Sequence, residues 1–217
     1  MPLTPEQVID AALALTRDRG LETWTVRDLA AALDTWPNTI AHHVGDREAV
    51  LHAVVDRVVA LMPNPPAELG WQNWFRTFLH DGAAILTRYP GVTHRLCRDG
   101  PNVAAALPII DRGVGLLRAA GFGDQAPVGY AMLLNGAFLL VAQDEDRAQT
   151  GHRRGQAARN VLAAGPPPDA GPGWDEMSRH LRDWASDPES SRRQLFTATV
   201  ETLIAGLEVR LRADEPF

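Results

Sequence analysis

The chain has 217 residues, 45% of them hydrophobic and 22% charged, which supplies a packed core and excludes a disordered polymer. Its formal net charge is −6, and the single cysteine, Cys97, excludes an internal disulfide and points to a reducing cytoplasm. The N-terminus MPLTPEQ lacks the basic start and apolar run of a signal peptide, and the longest apolar stretch, 131–142, is broken by Asn135 and Gly136. That stretch is shorter than the roughly 20 residues a bilayer span needs, so no membrane partner is expected. Alanine, leucine and arginine dominate, alternating strand patterns are missing, and the expected fold is all-α.

Thr4-Pro5-Glu6-Gln7 reads as a helix start: Thr4 as cap, Pro5 in the first turn, Gln7 closing a capping box. Val8, Ala12 and Leu15 share one face, and Gly20 followed by Leu21 ends the helix. Thr25 and Asp28 form the capping box of a second helix, with Val26, Leu29, Ala30 and Leu33 on its apolar face. Asp34 suits a left-handed turn. Trp36-Pro37 must open a third helix, because proline is favoured only in a first turn. Ile40 and Val44 are its apolar pair, Gly45 stops it, and Asp46 caps a fourth helix carrying Leu51, Val54, Val55 and Val58. Three prolines between Met62 and Pro66 end that helix.

Longer helices are expected over 67–146. Trp71, Phe75, Phe78, Ile85 and Tyr89 follow helical spacing, and Val103, Leu107, Ile110, Val114 and Leu117 read as a heptad-like seam. Asp124 is the expected cap of a helix through Tyr130, Leu133, Ala137 and Leu140. Residues 147–163 are polar with some helical character, Gly165 to Gly173 is a loop, and Trp174 to Trp184 is a short helix. The last helix is expected over about 191–212, with Phe196, Val200, Leu203, Leu207 and Leu211 on one face.

Two helices joined by a very short turn, inside residues 4–62, form a helix-turn-helix arrangement, whose second helix can enter a DNA major groove. The stretch TVRDLAAALDTWPNTIAHHVGDREAVL, residues 25–51, resembles the DNA-binding domain of the tetracycline repressor (TetR) family. The match lies in Thr25 to Leu29-Ala30, the short turn, Pro37, the His43-Val44 position and Asp46-Arg47-Glu48. Residues 67–217 match the family only in length, helix content and layout. Three departures stand out: Trp36 in place of a small cap, Asp34 in place of a turn glycine, and Ala41 where many members carry a phosphate-contacting tyrosine. The resemblance implies a DNA-binding domain over 1–62 and a domain for effector binding and dimerisation over 67–217. It implies a homodimer on a palindromic double-stranded DNA operator, released by a small-molecule effector.

Charge speaks against DNA at first sight, since residues 1–60 hold five arginines and nine carboxylates, a balance of −4. Yet Thr35 to Gly45 holds no carboxylate and is flanked by Arg27 and Arg47. Specific binding with few ionic contacts and a shallow salt dependence is therefore expected. The expected DNA contacts are Thr25, Arg27, Thr35, Trp36, Asn38, Thr39, His42, His43 and Arg47. Asn38 can read adenine and Thr39 a thymine methyl, Arg27 and Arg47 can hold phosphates, and Trp36 either braces the turn or meets the DNA. His42 and His43 point about 100° apart on a helix, which excludes the usual i, i+4 metal geometry.

Trp74, Phe78, His94, Cys97, Met132, Asn135 and Phe138 are the candidate ligand-pocket residues. Asn135 needs a hydrogen-bond partner within an apolar run, either a ligand or a neighbouring helix. The natural dimer pair is 124–142 with 191–212, forming a four-helix bundle across a two-fold axis. No enzyme signature (GxSxG, P-loop, GxGxxG or HExxH) occurs, and no cofactor or metal is expected. The competing reading is a helical protein that binds a small molecule or a partner and has no DNA role; the acidic N-terminal region is its support.

Overall fold

The first three turns of the chain are set by local hydrogen bonds. In a computed structural model, which describes residues 3–149 and 155–213, the described residues are helical with no strand. Helix α1 (Pro5–Arg19) starts at the Thr4–Gln7 capping box, with Thr4 N–H donating to Gln7 Oε1 at 2.9 Å. Gly20, at φ 95°, closes it in a conformation that costs glycine least. The Thr16 hydroxyl donates to the Ala12 carbonyl and accepts from the buried Trp24 indole N–H at 3.0 Å, which fixes the α1–α2 turn from inside. Helix α2 (Val26–Ala32) opens at the Thr25–Asp28 box. Its turn into α3 (Pro37–His43) passes through Asp34 at φ 49°, and Thr35 N–H donates to the Ala30 carbonyl. Trp36 supplies the extended backbone that precedes proline and makes no side-chain cap. Gly45 at φ 113° ends the turn after α3, and the Asp46 carboxylate accepts from Ala49 N–H to begin α4 (Arg47–Ala60).

Helix α5 (Gly70–Leu86) is the aromatic centre of the remainder: Trp74, Phe75 and Phe78 are fully or almost fully buried. Tyr89, expected on this helix, is buried in the turn beyond it. Helix α6 (Val92–Asp99) follows Gly91 at φ 90°, where a side chain would meet the Leu21 backbone N at 3.3 Å. In α7 (Leu107–Leu117) the buried line is Ile109, Gly113 and Leu117. This corrects the expected seam. Val103 lies ahead of the helix, Leu107 is 64% exposed, and Ile110 and Val114 are only partly buried, because Gly113 turns inward to let the Tyr130 ring approach. Asp124 falls in a tight turn ahead of α8 (Ala126–Gln149), whose Leu133 and Ala137 are fully buried.

Helix α9 (Gln156–Ala164) packs on α10 (Pro172–Ser186), which starts at Pro172, inside the segment expected as loop. Part of the expected polar region, 150–154, lies outside the described residues. The last helix, α11 (Pro188–Ala213), packs along α8 and α5 through Val200, Ile204 and Leu207. One segment, Ala104–Glu145, is long and apolar enough by composition to cross a membrane. It is interrupted at Gly121 (φ 113°) and Gly123 (φ 54°), and its second half is the central helix of the core.

Candidate nucleic-acid interface and ligand cavity

Helix α3 stands on α2 through Ile40, which is 1% exposed, and Leu29, which is fully buried. The opposite face is open. Trp36 is 80% exposed at its N-terminal end, Asn38 and His42 are exposed, and Thr35, Thr39 and His43 are partly so. An apolar ring left this bare is informative, since large aromatics normally bury most of their surface. The His42 and His43 rings lie 5.7 Å apart, edge to face. No group of three or more His, Cys, Asp or Glu side chains that could hold a metal occurs among the described residues.

The nine N-terminal carboxylates are largely spent on internal bonds. Arg19 pairs with Asp28 at 3.4 Å, Arg57 with Asp10 at 2.9 Å, and Arg17 with Asp18 at 3.5 Å. The Thr25 hydroxyl, followed by its backbone N–H, holds the Asp28 carboxyl below its ordinary range. Arg47 bonds to the Glu22 carboxylate at 3.2 Å and to the Glu22 carbonyl at 3.3 Å, and lies over the Trp24 ring. Arg47 thus braces the α1–α2 turn, and Arg27 is the exposed N-terminal arginine with no ion pair among the described residues.

The same acids tie the four N-terminal helices to α6. Arg95, projecting from α6, bridges Glu22 at 3.2 Å and Glu48. Around it, Leu21 N–H donates to the Pro90 carbonyl at 2.7 Å, His52 Nε2 meets the Asn102 carbonyl at 3.0 Å, and Ala105 N–H donates to Asp56 at 2.8 Å. From the other side, the buried Glu145 of α8 accepts from Gly91 N–H at 3.0 Å, the Thr93 hydroxyl at 2.6 Å and His94 N–H at 3.4 Å. Those are the free donors of the first turn of α6, where a carboxylate is favoured. Burial nevertheless pushes the Glu145 carboxyl up, against the pull of these donors.

A cavity of about 410 Å³ lies between the end of α4 and helices α5, α6, α7 and α8. Phe78, Cys97, Asn135 and Phe138 line it, although Asn135 is exposed at its edge and has no hydrogen bond among the described residues. Three expected residues lie elsewhere. Trp74 stacks behind Phe78 at 5.0 Å and donates its indole N–H to the Pro65 carbonyl; Met132 is 41% exposed; His94 is exposed, contributing its backbone to Glu145. Burial, and then the Glu145 charge, raise the Cys97 thiol, so it stays protonated. Val59, Met62, Leu96, Ile109 and Tyr130 complete the walls. The four-residue spacing of Tyr130, Leu134 and Phe138 was a readable signal for the α8 wall; the contributions of α4 and α7 had none.

Fold and site define a helix-turn-helix protein whose C-terminal helices enclose a ligand-sized cavity. No family model matches the chain. Over 97% of its length it is 28% identical to the class D tetracycline repressor of Escherichia coli, covering 92% of that protein. Over 70% of its length it is 25% identical to the HTH-type transcriptional repressor DrrR1 of Streptomyces coeruleorubidus, of which it spans only 57%. Apo ActR from Streptomyces coelicolor has the same fold (TM-score 0.74, 21% identity, 97% of this chain and 99% of that one). So do ActR in complex with actinorhodin (TM-score 0.74, 21% identity, 95% of each chain) and BioQ with its double-stranded DNA operator (TM-score 0.60, 20% identity, 68% of this chain and 89% of that one). The chain is thus similar in sequence to a tetracycline repressor and shares the fold of the TetR family protein ActR.

Proposed function

We propose that the chain is a cytoplasmic transcriptional repressor that binds a palindromic DNA operator as a homodimer and is released by a small-molecule effector. Residues 1–62 would hold the DNA, and residues 67–217 the effector and the second subunit. The observation that carries this reading is the face of α3. It is exposed, free of carboxylates, and headed by Trp36 and Asn38, while the surrounding acids are occupied by arginines. Operator binding by BioQ and the repressor names of the curated relatives support it. A complex of ActR with actinorhodin supports the effector half.

Helix α6 is one physical link between the two halves. Leu96 and Cys97 line the cavity, and Arg95, one residue away, holds Glu22 and Glu48 of the N-terminal helices. A ligand that favours a shifted α6 would change the spacing of two α3 helices across a dimer, by no more than its differential affinity for the two states. Exposed apolar side chains on α8 (Val128, Met132, Leu139) and α11 (Leu195, Val209) suit a subunit interface.

The test is a selection of genomic fragments on the full-length protein, followed by binding to the enriched site at several salt concentrations. A palindromic site bound with a shallow salt slope is expected; enrichment of no sequence overturns the reading. Asn38→Ala should cost about 1–3 kcal/mol and relax specificity at one base pair, whereas Arg27→Ala should weaken all sequences and lower the salt slope by about one.

A further inference from the structure

We propose that the cavity between α4, α5, α6, α7 and α8 takes an uncharged, mainly aromatic molecule bearing a carbonyl or ether oxygen, and that the Tyr130 hydroxyl donates the hydrogen bond that orients it. This rests on the effector reading above and names the chemical class of the ligand. No lining residue is Asp, Glu, Arg, Lys or His. A ligand carrying a full charge would lose its hydration with no counter-ion in return, a cost no apolar contact offsets. The neighbouring cavity of about 350 Å³ between α5, α8 and α11 is of the opposite kind, lined by Asp144, Glu145, Arg192 and Arg193.

Within the apolar cavity one largely buried side chain keeps an unused hydroxyl that is not itself sealed from solvent. Tyr130 is 9% exposed, and its hydroxyl makes no hydrogen bond among the described residues. The hydroxyl is not among the sealed polar atoms, so a donor on a cavity wall is left accessible to a bound molecule. The ring cannot turn away to find a partner inside the protein. It lies edge to face with Phe75 at 6.1 Å and passes so close over Gly113 that a Cβ there would meet Tyr130 Cε2 at 2.7 Å. Desolvation drives the phenol's ionisation upward, so the group stays an O–H donor across the physiological range. The opposite wall is aromatic: Phe78 and Phe138 meet edge to face at 6.1 Å, geometry that a flat ring system can extend. The Asn135 carboxamide at the rim, without a hydrogen bond among the described residues, offers a second polar contact near solvent.

Three probes of one shape separate the parts of this proposal: fluorene, 9-fluorenone and 9-fluorenone-2-carboxylate, titrated calorimetrically into the full-length protein without DNA. Fluorenone should bind tightest, fluorene roughly 3- to 10-fold weaker, the worth of one neutral hydrogen bond, and the carboxylate at least about 10-fold weaker than fluorenone. Tyr130→Phe keeps the ring over Gly113, and a melting temperature near the parent's checks the fold. It should bring fluorenone down to fluorene and leave fluorene unchanged. A carboxylate that binds as well as the ketone, an undiminished ketone preference in Tyr130→Phe, or no binding by any probe overturns the proposal. The readout contains no DNA, so this result and the operator selection fail independently.

Discussion

Helices α1, α2 and α4 carry their own N-caps in Thr4, Thr25 and Asp46, whereas α5, α6, α7, α9 and α10 begin with no side-chain cap from the residue ahead of them. Three of the four N-terminal helices therefore start on bonds spanning three residues, and only α3, headed by Trp36, does not. In the remainder α11 starts on such a bond, from Ser190 N–H to Asp187 at 3.0 Å, whereas α6 is held by a distant residue, Glu145. A helix held from outside can be moved by whatever moves its holder. The difference suits the proposed roles of the two regions, a DNA reader and a ligand-responsive region.

The contrast can be broken most forcefully in the C-terminal core. Trp74→Ala removes a fully buried indole and its bond to the Pro65 carbonyl, and should cost about 3–5 kcal/mol in denaturant or thermal unfolding. Glu145→Ala strands three donors at the α6 N-terminus; a loss of about 2–3 kcal/mol is expected, with faster hydrogen exchange over Val92–Asp99. Glu145→Gln sharpens the point through pH. A carboxyl raised by burial stabilises the fold most below its ordinary value, near about 4.3, and loses that contribution as pH rises through its folded value. The parent should show this decline in a stability–pH profile, and the glutamine variant should lack it.

Local caps predict smaller effects. Thr25→Ala should cost about 1 kcal/mol, measured by equilibrium unfolding, because only the first turn of α2 loses its partner. Trp36→Ala should change stability by less than about 0.5 kcal/mol, since the ring is 80% exposed and caps nothing. A drop in operator affinity with that unchanged stability would assign Trp36 to the DNA; a clear loss of stability would assign it to the turn.

The α3 segment was legible because each of its boundaries is a backbone rule: Pro37 can only begin a helix, Gly45 accepts φ 113°, and Asp46 can only cap. The lining of the cavity was half legible. Phe78 and Phe138 followed from helical spacing, but Met132 and Phe138 share a helix, and only the azimuth at which α8 meets α5 and α7 decides which one faces inward. Arg47 shows the same limit on the DNA side. Its place beside α3 suggested a phosphate contact, and the loop carrying Glu22, 25 residues earlier, draws it inward instead.

By itself the sequence determined the all-α class, the helix-turn-helix, its caps and turns, and the family resemblance, because all of these rest on hydrogen bonds and steric limits within a few residues. Only the tertiary structure decided which acids are neutralised, that Glu145 and Arg95 hold α6 from opposite sides, and that Tyr130 lines the cavity. Those depend on how helices far apart in the chain are rotated and spaced, and packing fixes both.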